Sequence, residues 1–455
     1  MAGMDRYHGT RAALLALMSA GAVGCSNADG QSSSSSPGAP PTYYRDVKPV
    51  LDAKCAGCHT AGGIGPFALT TVEDVVLRKD AIVAAVQSRR MPPWPPSPEC
   101  AEIAHDPSLT EPQIDTLARW ANAGAPLGDP ADFVALPGDP GTLSRTDLDL
   151  PMPEPYTPTK GPDDYRCFLI DWPYDTTKFV TGLGITPGND SIVHHVVVFY
   201  AKPNAVSTYE AYDAAEPGPG YTCFGGPKGD DKAIEGPSGY GILGGWAPGS
   251  FGRDAPAGTG IEVPPGTKII LQLHYNTAHG TPEPDRTTVA VRIDDTVEKP
   301  AFSMPWLNPA WRNPGGMVIP AGDSDVVHTF EQDAATAVSI FTKGALPADQ
   351  PFTLHTVGLH QHLRGKSIST SHTPSGGTEA CLVDIPKWDF HWQSPYTLLE
   401  PRRIMPGDKL RIECHWDNSA ANQPLVNGVK MPPEDLQWGE GTNDEMCLGW
   451  FYVTP

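Results

Sequence analysis

Beyond about residue 160 the chain is written in short β-prone runs that alternate with turn residues, and this alternation limits the folds open to it. VVVFY (196–200), KIILQLHY (268–275), TTVAVRI (287–293), AVSIFTKG (337–344) and KLRIEC (409–414) are separated by stretches rich in Gly, Pro, Asp and Asn. Runs of that length with such punctuation predict antiparallel sandwiches. The 50 prolines and 47 glycines point the same way, because they break long helices and serve tight turns. About 290 residues are large for one sandwich and comfortable for two, which puts a division near residue 300.

The whole chain of 455 residues exceeds what one hydrophobic core can hold. With 39% apolar and 19% charged residues it reads as globular and soluble. Its 53 acidic against 32 basic side chains leave no cationic surplus for phosphates, so no nucleic-acid partner is expected.

Residues 1–25 read as an export signal, with Arg6 and Arg11 ahead of the apolar stretch Ala12–Gly24. AVGC resembles a bacterial lipoprotein cleavage site, with Cys25 as the lipid anchor, although Ala22 stands where Leu is usual. A plain signal peptide with a chance cysteine stays open. Residues 26–41, with the serine run Ser32–Ser36, then form a flexible tether. The expected location is the periplasm, or the outer membrane as an anchored lipoprotein, of a Gram-negative bacterium.

CAGCH (Cys55–His59) is the sharpest motif. Two thiols across a two-residue gap can bond the vinyl groups of a haem, and His59 then becomes the proximal iron ligand. A redox-active CxxC is the competing reading, and it leaves His59 without a role. Met91 in RRMPPW is the candidate distal ligand, held in a loop that Pro92 and Pro93 stiffen. An ordinary core methionine is the plain alternative, and His105 is the other possible nitrogen ligand. A helix is expected over about 72–88 with Val76, Ile82, Val83 and Val86 buried, and a second over Leu109–Ala123, capped by Thr110 and stopped by Gly124. A cytochrome c domain over 42–129 follows, and GIGPF, MPPW and WANAGAP resemble cytochrome c modules fused to bacterial oxidases. A Pro- and Asp-rich linker, 130–160, separates it from two β-sandwich domains, 161–300 and 301–455. The expected fold class is thus a small all-α cytochrome c domain followed by two antiparallel β-sandwiches.

Metal-capable residues gather on the β-prone runs. His194 and His195 are adjacent, so in a strand they share a metal only if the backbone turns or bulges there, or if one ligates through the nearer ring nitrogen. His274 sits in an apolar run, where a buried imidazole needs a partner. His360 and His362, two apart, share one face of a strand, and Met446 follows an acidic pair in NDEMC. Imidazoles together with a thioether point toward copper, because the thioether favours the reduced ion. Each histidine alone is more often a satisfied core or surface residue; their joint occurrence carries the signal.

In this pattern the region from about 163 to 455 resembles the copper type II, ascorbate-dependent monooxygenases, among them the peptidylglycine alpha-hydroxylating and dopamine beta-monooxygenases. SIVHHVVVFY, LQLHYNT, GLHQHLRGK and GTNDEMC occur in that family's order with compatible separations. The resemblance implies that His194, His195 and His274 hold an electron-supplying copper. It implies that His360, His362 and Met446 hold the copper at which oxygen reacts. It also implies bridges Cys167–Cys223 and Cys414–Cys447, out of the 15 pairings open to six cysteines. Cys100 and Cys381 have no partner implied; a bridge between them would tie the N-terminal domain to the last one.

The implied reaction inserts one oxygen atom of dioxygen into a C–H bond and releases the other as water, with two electrons supplied from outside. A small organic substrate, an envelope electron donor and a haem relay complete the expectation. Gly358 stands where peptide-amidating members carry an arginine, and Leu448 and Trp450 where they carry asparagine and tyrosine, which disfavours a peptide carboxylate. Arg364 remains an anion contact only if it faces the site. His355, His391 and His415 are expected to be structural, and His279, His328 and His372 to lie at the surface. The alternatives are an exported haem/copper electron-transfer or metal-handling protein without hydroxylase activity, or a β-rich envelope binding module.

Overall fold

Capping chemistry sets where the helices near the N-terminus begin. The computed structural model describes residues 39–60, 65–136, 143–223, 226–227, 239–247, 252–277, 282–390, 392–426 and 429–455. The expected signal with Cys25, the tether up to residue 38, His279 and His391 lie outside the described residues. Thr71 accepts a hydrogen bond from Asp74 N at the head of the Val72–Gln87 helix. Thr110 and Gln113 form a reciprocal capping box for the Glu111–Asn122 helix, with Pro112 in its first turn. Gly124, at φ +84°, takes the left-handed position that ends it. These helices and Lys48–Lys54 close around Leu51, Val75, Ile82, Leu117 and Trp120. Val76 and Val83 were expected inside but are half-buried; Val75 and Ala85 take the inner positions, because the packed stripe is rotated about the helix axis.

The β region is built on one continuous sheet. Its order is Leu148–Pro151, Thr288–Asp294, Lys178–Thr186, Thr259–Val263, Lys299–Trp306, Leu448–Thr454, Phe352–His360 and Pro395–Ile404, with Arg253–Asp254 attached to Lys178–Thr186. A second sheet, Tyr221–Thr222, Asp163–Asp171, Lys268–Asn276, Val193–Ala201 and Tyr240–Trp246, covers its first half. A third, Val326–Asp333, Lys409–Trp416, Gly365–Thr373 and Ala380–Ile385, covers its second half. The result is two sandwiches that share a wall. The expected division near 300 falls inside a strand: Lys299–Ala301 pairs in parallel with Thr259–Ile261, and Phe302–Trp306 pairs antiparallel with Gly449–Val453. Backbone hydrogen bonds therefore cross the boundary, which a hydrophobic pattern cannot reveal.

Two sequence expectations fail locally. The pattern of AVSIFTKG predicts a strand, but Ala334–Phe341 is a helix. Asp333 caps it by accepting from Thr336 N, and Ala334, Ala335 and Val338 bury one face; cap and packing outweigh the weak preference of β-branched residues for strands. The stretch 130–160, read as linker, contains the edge strand Leu148–Pro151, and Met152 beyond it is fully buried.

The helical segment does not hang on a slack tether, and Pro41–Pro455 forms one unit. Residues 97–104 run along the last sandwich, with Ser97 N on Asp384 O (2.7 Å), Leu399 N on Glu102 O (2.8 Å) and Ala104 N on Thr397 O (2.8 Å). Trp94 packs edge-on against Tyr396 at 5.5 Å, and a Cys100–Cys381 disulfide closes the join. Cys167–Cys223 and Cys414–Cys447 are also bridged. Edge hydrogen bonds, an aromatic contact and a covalent link thus fasten one short segment to the last sandwich.

Candidate metal centre

A β-bulge builds the first histidine group. Along the pairing of Val193–Ala201 with Lys268–Asn276, Val193 opposes Tyr275 and His195 opposes His274, so His194 is the extra residue. The bulge breaks the strand's alternation and lets two adjacent imidazoles converge with a third. The three Nδ1 atoms stand 3.3 Å (His194–His195), 3.2 Å (His194–His274) and 3.3 Å (His195–His274) apart. The centre of such a triangle lies about 1.9 Å from each nitrogen, close to a metal–imidazole bond. Burial holds His194 and His195 well below the usual imidazole range, and the neighbouring imidazoles add to this. Neutral rings with converging lone pairs are suited to a cation.

Asp163 orients the third ring. Its Oδ1 accepts from His274 Nε2 at 2.8 Å, which puts the ring proton on Nε2 and leaves Nδ1 as donor to a metal. Burial alone would raise the Asp163 pKa, but hydrogen bonds from His274, Thr442 and Asn276 overrule it and hold the carboxyl at about 2. Tyr165 stacks on His274 at 4.0 Å between ring centroids, with the two ring planes nearly parallel at 11°.

The second group stands where the Phe352–His360 strand ends. His360 is its last residue, and His362 lies just beyond, so the two rings meet at 4.9 Å by the chain leaving the strand rather than by strand alternation. His360 Nδ1 donates to Gln393 Oε1 (2.5 Å) and His362 Nδ1 to Asp444 O (3.0 Å), leaving both Nε2 atoms as donors to a metal. Burial pushes His360 down to about 4, and His362 well below its usual value. Met446 is buried, and the bridge from Cys447 to Cys414 anchors its backbone. The carboxylate of Glu445 accepts from His362 N (2.9 Å), Trp416 Nε1 (2.8 Å) and Arg364 N (2.7 Å).

Both groups open on one cavity of about 650 Å³, whose wall includes His195, His360, His362 and Met446. His195 and His360 face each other at 6.4 Å between ring centroids, and Phe390 stacks on His194 at 4.5 Å. Leu243 and Trp246 of the first sandwich and Trp450 of the second make the wall largely apolar, and His105 joins it from the helical segment. Arg364 is buried away from this cavity, with Nη1 on Asn443 O (3.2 Å).

Of the remaining histidines, His355 bonds Thr454 Oγ1 (2.9 Å), and His415 lies between Asp325 and Glu413. His328 is half-buried, with Nε2 donating to Val318 O. His372, expected at the surface, is 3% exposed and paired with Asp408 at 2.9 Å; its strand turns it under the Met405–Asp408 turn, out of solvent. Sequence reasoning missed Asp163, Tyr165, Gln393 and Thr442, whose partners lie tens to hundreds of residues away.

In the helical segment Cys55 and Cys58 are unbridged thiols, and burial raises both, Cys55 to about 12. His59 Nδ1 donates to Phe67 O at 2.9 Å, so Nε2 is left for a metal. Met91 lies, half-buried, in the turn after the Val72–Gln87 helix. Free thiols beside an imidazole held in this tautomer fit the demands of a covalent haem.

Residues 314–454 match the family described as copper type II ascorbate-dependent monooxygenase, C-terminal domain. The chain is 25% identical to the chicken (Gallus gallus) DBH-like monooxygenase protein 1 over 342 residues, 70% of this chain and 48% of that protein. It is 24% identical to the tyramine beta-hydroxylase of Caenorhabditis briggsae over 316 residues, 64% of this chain and 45% of that protein. A stretch of 114 residues is 31% identical to the human (Homo sapiens) DBH-like monooxygenase protein 1, covering 24% of this chain and 17% of that protein. In its longer alignments the chain spans about half the length of the relatives it matches. The likeness is thus to copper-dependent monooxygenases at the level of the family, and it is consistent with a copper-binding oxidoreductase.

Proposed function

We propose that this protein is a copper-dependent monooxygenase that hydroxylates a C–H bond of a small organic substrate with dioxygen. It holds two copper ions and receives its electrons through one covalent c-type haem. The observation that carries the reading is the facing of two histidine groups across one cavity, with His195 and His360 6.4 Å apart. Substrate R–H, dioxygen, two electrons and two protons give R–OH and water.

Copper at the two groups supplies one-electron redox chemistry toward dioxygen, and haem at Cys55, Cys58 and His59 supplies a one-electron relay. The chain's residues do the positioning. His194, His195 and His274 present three nitrogens at a spacing that suits one ion, and Asp163 holds His274 in the required tautomer. His360, His362 and Met446 offer two imidazoles and a thioether, a soft set that favours the reduced state. Gln393 and Asp444 O keep the two rings turned with Nε2 free. The apolar wall excludes water and binds an uncharged part of the substrate, and Arg364 is occupied elsewhere. Met91 is the proposed distal haem ligand, with His105 as the alternative.

Export places the protein in the periplasm, or on the outer membrane through Cys25, with an envelope partner as electron donor. Among the described residues no helix is long and apolar enough to cross a membrane.

Elemental analysis after copper loading tests the metal content; two copper and one iron per chain are expected. Oxygen consumption matched by hydroxylated product tests the reaction. Tight zinc at both groups with no copper uptake would end the reading.

A further inference from the structure

We infer that the loop from Gly439 to Met446 couples the two histidine groups, with Asp163 and Thr442 as positioning residues that pass a change at one group to the other. The inference rests on the copper reading above. One end of the loop is docked on the residues that orient His274. Asp163 Oδ1, already holding His274 Nε2 at 2.8 Å, accepts from Thr442 Oγ1 at 2.7 Å and from Asn276 Nδ2 at 2.9 Å. Asn276 Nδ2 also donates to Thr442 Oγ1 at 3.1 Å. Tyr165, stacked on His274, donates its hydroxyl to Glu440 O.

The other end of the same loop is docked on the second group. Asp444 O accepts from His362 Nδ1, Glu445 clamps His362 N and Arg364 N, and Met446 follows directly. The span between the two ends is short and internally tied. Asp444 N donates to Gly441 O (2.8 Å), and Gly441 N donates to Asp444 Oδ2 (3.1 Å). A Cβ at Gly439 would come within 2.2 Å of Asp444 Oδ2, so the loop is also packed on itself there. Thr442 is 7% exposed, so its hydroxyl has little water to exchange with.

The physical consequence follows from the shared carboxylate oxygen. A cation on His274 Nδ1 makes its Nε2–H a stronger donor, which redistributes the bond that Asp163 shares with Thr442. A stiff loop transmits that displacement to Asp444, Glu445 and Met446 instead of absorbing it. Coupling of this kind is reciprocal: each ion changes the affinity for the other by the same factor.

Cu(I) affinities measured on the full chain by competition with a chromophoric Cu(I) chelator test this. The first group's affinity is compared in the wild type and in a His360→Ala/His362→Ala variant. At least about a fivefold difference is expected. Thr442→Val should abolish that difference, and Thr442→Ser, which keeps the hydroxyl, should retain it. Tyr165→Phe, which keeps the stacked ring and loses only the Glu440 link, should reduce the difference and serves if Thr442→Val does not fold. A first-group affinity that is equal in the two backgrounds, or a difference unchanged in Thr442→Val, overturns the coupling and leaves the copper reading standing. No Cu(I) uptake at either group removes both.

Discussion

His195 and His360 belong to different sandwiches, stand 165 positions apart in sequence, and face each other with ring centroids 6.4 Å apart. Two histidine groups that flank one cavity at this separation share their solvent, their field and any small molecule between them.

Two Cu(II) ions held by groups this near must interact through their spins. Electron paramagnetic resonance of the fully loaded protein should therefore show dipolar broadening that disappears in His360→Ala/His362→Ala. A wild-type spectrum equal to the sum of two sharp single-site spectra would mean that the groups stand well apart in solution.

The buried histidines set a pH window for the metal-free protein. His360 has its folded pKa pushed by burial from the ordinary 6.5 down to about 4. Below pH 6.5 the unfolded chain takes up a proton that the folded chain refuses, so stability falls as pH drops through the range from 6.5 to about 4. Denaturant unfolding from pH 8 to 4.5 should show this loss, and His360→Gln should flatten part of it. Equal slopes in the two proteins would show that His360 is not held neutral by its surroundings.

Cys100 and Cys381 fasten the helical segment across 281 positions of sequence. Cys100→Ser/Cys381→Ser should cost about 2–4 kcal/mol, with the backbone bonds of residues 97–104 limiting the loss. Limited proteolysis should then cut near residues 94–108 first while the sandwiches stay intact. Protection equal to that of the wild type would mean that the hydrogen bonds alone hold the join.

Haem attachment and its ligands can be read optically. Cys55→Ser/Cys58→Ser should abolish covalent haem, and Met91→Ala should change the spectrum of the reduced protein. An unchanged spectrum in Met91→Ala would assign the distal position to His105 or water. In stopped-flow mixing, oxidation of reduced haem by oxidised copper should be fast and independent of protein concentration. A rate that scales with concentration would rule out a relay within one chain.

Local chemistry was legible in the sequence wherever partners lie within a few residues. Thr110 starts its helix as its position predicts, because a cap needs only the backbone three residues on. The adjacency of His194 and His195 in a β-prone run left two ways for them to meet, a bent or bulged backbone or use of the nearer ring nitrogen, and the structure has both the bulge and the facing Nδ1 atoms. Periodicity misplaced residues 337–344, since apolar spacing in a short run suits either a strand or one face of a helix until a cap and a packing surface decide.

The donors and the local geometry around each can be read from the chain alone: imidazoles, thioether and thiols, on runs that form strands or capped helices. Which donors share a cavity is settled by the packing of the sheets. It shared one sheet between the sandwiches, paired Asp163 with both His274 and Thr442, and turned Arg364 away toward Asn443. It also joined Cys100 to Cys381. The reason is range: a helix cap or a bulge is settled by backbone geometry over a few residues, whereas a contact between positions 163 and 442 exists only once two sheets have packed and fixed every strand between them.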